Sequence, residues 1–317
     1  MHRKLVVAAA GTAAIMTVAL GPAAYAAPAH PALGGRGVSC GAAALAAAVS
    51  SAYPGETLFL SPGCVYKLDD TIHVGKDLTI VGVGATLERA SDSDSFSLIQ
   101  VDTRGDLTVL YTNFRDGGGS GDNYGGAIDA EHGRLDVHAS NFEDNISAEY
   151  GGAIYVHKAD VDVSDSTFTG NTADDEYGGA IYNDDGHLKV SGSGFADNNA
   201  DDGGAIYNED DTSLTGDTFR QNAADDGAAV YNDGDLTVRG SEMENNSAIE
   251  DGGGLYNDHC ADASISGGEI SGNHAGEKGG GIYGDNHPVR VVLHGTEVAD
   301  NTPDDLANNT SAPACGV

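Results

Sequence analysis

An acid stands just ahead of every Gly-Gly phrase in the second half of the chain: Glu149, Glu176, Asp201, Asp225, Glu250 and Glu277. In the middle copies a second acid follows directly, at Asp202, Asp226 and Asp251. If the loops that carry them stack, neighbouring carboxylates lie about 4.8 Å apart, and each like-charged pair costs about 1 kcal/mol in water. Calcium takes roughly six to eight oxygens and suits loops that mix carboxylates with carbonyls. The pattern therefore predicts one or more calcium sites around Asp201, Asp202, Asp225, Asp226, Glu250 and Asp251. Splayed, hydrated carboxylates that keep the surface soluble are the plainer reading of the same residues.

A second row is aromatic. Tyr155, Tyr182, Tyr207, Tyr231, Tyr256 and Tyr283 each close a small-small-small-aliphatic-Tyr phrase. Successive strand residues face opposite sides, so with the aliphatic residue inward the tyrosines form an outward row whose faces can receive sugar rings. Such a row can also stack on itself, since tyrosine favours strands without any ligand.

Catalytic equipment is thin. His294-Gly295 has no companion Arg-x-Lys, and Arg290 has no Lys nearby in sequence. Outward acids do recur in adjacent repeats, Asp136 with Asp162 and Glu242 with Glu269 and Glu297. A retaining glycosidase uses two carboxyls roughly 5 Å apart, but a repeat supplies stacked acids whether or not there is chemistry. No catalytic residue is assigned, and a polysaccharide lyase or hydrolase stays the alternative. The eleven His show no HExxH or HxH pattern and read as surface residues. With 49 acids against 15 bases, a net charge of −34, the surface repels nucleic acid and anionic lipid.

These residues need elements that bring distant positions together. Leu, Ile, Val and Phe make up about a fifth of the 317 residues, which with this charge resembles a disordered chain. The apolar residues nevertheless recur at a long interval. An aromatic or aliphatic residue precedes an Asn by three positions in Phe142/Asn145, Phe168/Asn171, Phe195/Asn198, Phe219/Asn222, Met243/Asn246, Ile270/Asn273 and Val298/Asn301. The tyrosines follow one another after 27, 25, 24, 25 and 27 residues. Alternating pairs such as Leu135/Val137 and Val161/Val163 precede each Phe-type anchor and read as strands.

Each repeat thus offers three short strands that cannot bury an inner face alone, and stacking solves this. The expected fold is all-β, a single parallel β-helix of about eight to nine coils. Ile128, Ile154, Ile181, Ile206, Val230, Leu255 and Ile282 would make one inner column and the Phe series another. The recurring Asn would sit at left-handed turn positions and bond to its copies above and below. Asn183, Asn208, Asn232 and Asn257 would form a second, shorter ladder.

The paired GGAIY and FxxN phrases, over roughly residues 105 to 301, resemble the repeats of the polymorphic outer-membrane proteins, surface adhesins. The resemblance implies a right-handed parallel β-helix of the pectin-lyase-like class and an adhesin-like role. That family's membrane barrel has no counterpart in the residues up to Val317. The N-terminal layout is similar to the capping helix of secreted members of the class.

The expected organisation is a signal peptide at 1–26, a linker at 27–38, an N-terminal cap at 39–70, the β-helix at 71–301 and a C-terminal cap at 302–317. His2-Arg3-Lys4, the apolar run to Leu20 and Ala24-Tyr25-Ala26 carry the signal-peptide reading, which implies a secreted product with no later membrane span. Ala42 to Ser51 reads as a short helix with Ser39 as N-cap. Four Cys in an exported chain suggest two disulfides; of the three connectivities, Cys40 with Cys64 and Cys260 with Cys315 are the local ones. The functional expectation is a secreted, monomeric binding or adhesion module for carbohydrate or a cell surface. Calcium is its expected cofactor, and an inert envelope protein is a third possibility.

Overall fold

The computed structural model describes residues 34–91, 95–119, 124–258, 260–285 and 290–308. The proposed signal peptide, most of the linker, and Cys315 lie outside them. Within them the chain is a parallel β-solenoid of about eight turns. A typical turn runs through a five-residue strand (Asp160–Ser164), a three-residue strand (Thr167–Thr169), a two-residue strand (Thr172–Ala173) and the Ile-Tyr strand (Ile181–Asp184). The two-residue piece, which follows each ladder Asn, is too short to leave a hydrophobic pattern. It makes four segments where the sequence predicts three.

Residues equivalent by repeat do pair. Phe168 is in register with Phe195, and Tyr182 with Tyr207. Phe114, Phe142, Phe168, Phe195 and Phe219 stack with centroids 4.7 to 4.8 Å apart, and the column continues as Met243, Ile270 and Val298. All but Val298 are buried, and so is the aliphatic column from Ile128 to Ile282. Full burial of such a side chain stabilises by roughly 1.5 to 3 kcal/mol.

The ladder asparagines are buried and bonded on every side. Asn198 Oδ1 accepts from the backbone N–H of Asn171 at 3.0 Å and from its Nδ2 at 2.9 Å, while Asn198 Nδ2 donates to Phe168 O and to Asn222 Oδ1. The left-handed residue is not the ladder Asn but the one before it: Asp144, Gly170, Asp197, Gln221, Asn245, Gly272 and Asp300 all have φ between 53° and 66°. The Gly-Gly phrase answers a second need. A Cβ on Gly179 would lie 2.2 Å from the carbonyl oxygen of Gly204, because backbone rests on backbone between these loops.

Helix Ala42–Ser51 buries Leu45, Ala48 and Val49 over the first turn. Its N-cap is Gly41, with no side-chain cap, so Ser39 does not have the expected role. Its C-terminal carbonyls are met by cations: Lys76 Nζ lies 3.0 to 3.2 Å from the oxygens of Val49, Ser50 and Ala52, and Arg36 Nη2 lies 2.6 Å from that of Ala48. Cys40 and Cys64 are disulfide-bonded. Cys260 is disulfide-bonded too, and its proposed partner Cys315 lies outside the described residues. Strands Arg36–Val38 and Glu56–Leu60 belong to the same sheet as the repeat strands, so the cap region is an irregular start to the solenoid.

Candidate functional site

The tyrosine row forms, with ring centroids 4.6 to 5.6 Å apart from Tyr155 to Tyr283. It is not the open face expected from alternation, because its members are only 4 to 9% exposed. The residue before Gly-Gly covers them. Tyr150 stacks on Tyr182 at 4.9 Å and Tyr177 on Tyr207 at 4.5 Å, so ring faces expected to receive sugars are occupied by protein. In later coils Asp202, Asp226, Asp251 and Lys278 take that covering position. Lys278 Nζ lies 5.6 Å from the Tyr283 ring centroid.

The hydroxyls of the row meet acids that the sequence reading missed. Tyr155 Oη donates to Asp184 Oδ2 at 2.7 Å and Tyr182 Oη to Glu209 Oε1 at 2.6 Å. Asp184 also lies 2.6 Å from Nδ1 of His157, a half-buried histidine rather than a free surface one. The available signal was the acid two positions after five of the six tyrosines, as in Tyr182-Asn183-Asp184 and Tyr207-Asn208-Glu209; Tyr155 has His157 there. Burial first, and nearby carboxylates after it, hold these phenols above the usual tyrosine range.

Among the expected calcium ligands, Asp201, Asp225 and Glu250 are exposed, whereas Asp202, Asp226 and Asp251 are half-buried in line beneath them. The Asp251 N–H donates to Asp226 Oδ1 at 2.8 Å. Burial, then the neighbouring carboxylates, pushes Asp202 up to about 7; burial is also the main cause for Asp226, which rises to about 6, and for Asp251, which is raised. Among the described residues no group of three or more His, Cys, Asp or Glu is placed to hold a metal ion. In-register stacking sets the acids in a line along the axis instead of gathering them around a point.

Two further acids are wholly buried. Asp129 occupies the tyrosine position one coil before Tyr155, and neither of its carboxylate oxygens has a hydrogen-bond partner among the described residues. Burial, then Glu131 and Asp102, pushes it up to about 7. Asp217 accepts from the N–H groups of Ser193 and Thr215, yet burial outweighs those bonds and lifts it to about 6.

An open concave surface lies elsewhere, on the outer side of the five-residue strands. A groove of about 400 Å³ crosses successive coils there, lined by Arg134, Asp162, His187, Lys189, Asp211 and Asp235 among others. His187 Nδ1 lies 3.2 Å from Asp211 Oδ2, and Arg134 makes a two-pronged contact with Asp136 at 2.7 and 3.0 Å. Lys189, in register between Asp162 and Ser213, is exposed and makes no ion pair among the described residues.

Residues 135–308 match the family model described as periplasmic copper-binding protein (NosD). The chain belongs to the NosD family. In this NosD-family chain the match covers the regular turns, including the whole tyrosine row, the acid line and most of the groove. What it supports is an extracytoplasmic type of β-solenoid; the likeness to polymorphic outer-membrane proteins rests on the motifs alone. No curated protein matches the sequence. No helix among the described residues is long and apolar enough to cross a membrane.

Proposed function

We propose that the chain is an exported binding module, periplasmic or secreted, that holds an extended glycan in the groove along its five-residue strands. The observation that carries this reading is the groove itself, a concave strip in which Lys189, Arg134 and His187 offer donors beside acceptors on Asp162, Asp211 and Asp235. Its rungs repeat at about 4.8 Å, close to the length of one hexose, so a chain of sugars can present one residue to each coil. Paired carboxylate oxygens suit vicinal hydroxyls, and Lys189, with no ion pair among the described residues, can donate. The covered tyrosines are not part of this surface.

The family description names copper, and the described residues do not fit it. Soft donors are withdrawn: Cys40, Cys64 and Cys260 are disulfide-bonded, and Met243 is buried between Phe219 and Ile270. His132 and His157 come together with ring centroids 5.3 Å apart, but Nδ1 of His157 faces Asp184 and Nε2 lies 3.3 Å from Lys158 Nζ. No step is assigned to copper.

The test is a glycan array with the native chain and with Lys189→Ala and Asp211→Asn, run beside reducing-sugar and unsaturated-product assays. Retention of a defined glycan class, weakened about tenfold or more by either substitution and without turnover, supports the module. Turnover of a polyuronate replaces it with a lyase or hydrolase, and an array with no retained sugar points to a structural envelope protein.

A further inference from the structure

The tyrosine row has a feature that packing does not require. The phenylalanine column of the same solenoid stacks at 4.7 to 4.8 Å without a single hydroxyl. A phenol in each of six successive coils instead places a polar group in a nearly closed space, which is costly unless it is bonded. For Tyr155 and Tyr182 the next coil supplies that bond. Asp184 accepts from Tyr155 and Glu209 from Tyr182, while the carboxylates of Asp233, Asp258 and Asp285, at the same offset in later coils, act through their charge on Tyr207, Tyr231 and Tyr256. The sequence therefore encodes a stack of aromatic rings roughly 24 Å long, at about 4.8 Å per coil, with a carboxylate beside the hydroxyls.

We propose that this row is a redox relay that carries one-electron oxidising equivalents along the solenoid axis. The step is proton-coupled. A one-electron outer-sphere oxidant, such as a high-valent metal complex, takes an electron from a phenol. The phenolic proton moves along its hydrogen bond to the carboxylate, leaving a neutral phenoxyl radical beside a carboxylic acid. The next tyrosine then gives up an electron to that radical and a proton to its own carboxylate. The first carboxylic acid returns its proton, and one phenol and one carboxylate are restored for each hop.

Three observations agree with this role. Ring separations of 4.6 to 5.6 Å keep each hop short. Burial raises the proton affinity of Glu209 and Asp233, which makes them better acceptors. The half-buried Tyr150 and Tyr177 stack on the row and give an external oxidant a point of entry. The ends also differ. Lys278 sets a positive charge by the Tyr283 ring and opposes electron loss there, whereas Tyr155 and Tyr182 have short bonds to carboxylates. A radical should settle at the Tyr155–Tyr182 end.

The experiment is flash oxidation of the full chain by photogenerated tris(bipyridine)ruthenium(III), followed by electron paramagnetic resonance. The background carries Tyr53→Phe and Tyr111→Phe to remove exposed phenols outside the row. The expected result is a tyrosyl signal whose lifetime falls at least tenfold in Glu209→Gln with Asp184→Asn, and in Tyr155→Phe with Tyr182→Phe. The Phe pair keeps the ring stack, and the acid variants leave every tyrosine in place, so a folding failure in one pair leaves the other decisive. An unchanged signal in either folded pair, or a signal confined to Tyr124, Tyr150 and Tyr177, would overturn the relay.

Discussion

Asn301 sends both its backbone N–H and its Nδ2 to Asp305 Oδ1, each at 3.0 Å. One coil earlier, Asn273 makes the same two bonds to Asn301 Oδ1, each at 2.9 Å. Asp305 thus provides the oxygen that another ladder asparagine would have offered, and the ladder ends on a carboxylate from its own loop. Removing it in Asp305→Ala leaves two donors of Asn301 without that acceptor, at a cost of about 1 to 3 kcal/mol. Asp305→Asn keeps an oxygen in place and should be close to neutral. Urea midpoints for the two variants, with hydrogen exchange at the Asn301 amide, check the difference.

Inside the ladder the penalty should be larger. Asn198→Ala deletes bonds to Asn171, Phe168 and Asn222 in a fully buried position and leaves the Asn171 N–H and the Phe168 carbonyl exposed to a small void. Each buried unsatisfied group costs about 1 to 3 kcal/mol, so a loss of roughly 3 to 5 kcal/mol is expected. The exposed Asn245→Ala, in the left-handed turn next to Asn246, should cost much less. Comparing the two by denaturant titration separates ladder bonding from turn preference.

The N-terminal cap offers a third measurement. Cys40 and Cys64 close a loop of sequence separation 24, for which chain entropy gives about 3 to 4 kcal/mol. Cys40→Ser with Cys64→Ser should lower the stability of helix Ala42–Ser51 first, since its remaining ties are its buried face and the contacts from Lys76 and Arg36. Hydrogen exchange should show faster protection loss there than in the strand Ile181–Asp184. Uniform loss across both would mean that the bridge acts on the whole solenoid.

The columns were legible in the sequence because a fixed offset of about 25 residues carries each side chain onto its copy, and strand alternation decides which side it faces. Both Asn ladders and the Phe column follow from that rule. The cover over the tyrosines did not, because its tightest contact is made one coil away: Tyr150 lies 4.9 Å from Tyr182 of the next coil and 6.2 Å from Tyr155 of its own phrase. The acids were legible as a line, but not that Asp202, Asp226 and Asp251 sit half-buried beneath the exposed Asp201, Asp225 and Glu250. The groove was hidden because Arg134, His187 and Lys189 occupy strand offsets that hold Asp, Ser or Thr in other coils, so no period announces them.

Buried carboxyls make stability depend on pH in an unusual direction. Asp129 and Asp202 are pushed up to about 7 and Asp217 and Asp226 to about 6, against about 3.9 in an unfolded chain. The folded state therefore binds these protons more tightly than the unfolded one. Their contribution is complete below about pH 4 and is lost as pH rises through 6 to 7. The melting temperature should climb by several degrees from pH 8 to pH 5. Glu88 acts in the opposite sense, because its bonds to Arg115 and Lys67 together outweigh its burial and hold its pKa below the usual value. Its stabilisation is lost as pH falls through the ordinary glutamate range and below, so it limits the gain from acid. Asp129→Asn and Asp202→Asn should flatten the climb between pH 8 and 5. Calcium is the rival counter-charge for the line Asp202, Asp226 and Asp251, and it gives the opposite pattern: a gain at pH 8 that disappears with chelator and shrinks as protons occupy the same oxygens. Equal melting in calcium and chelator at pH 8, together with a rise toward pH 5, would leave protonation as what relieves the stacked acids.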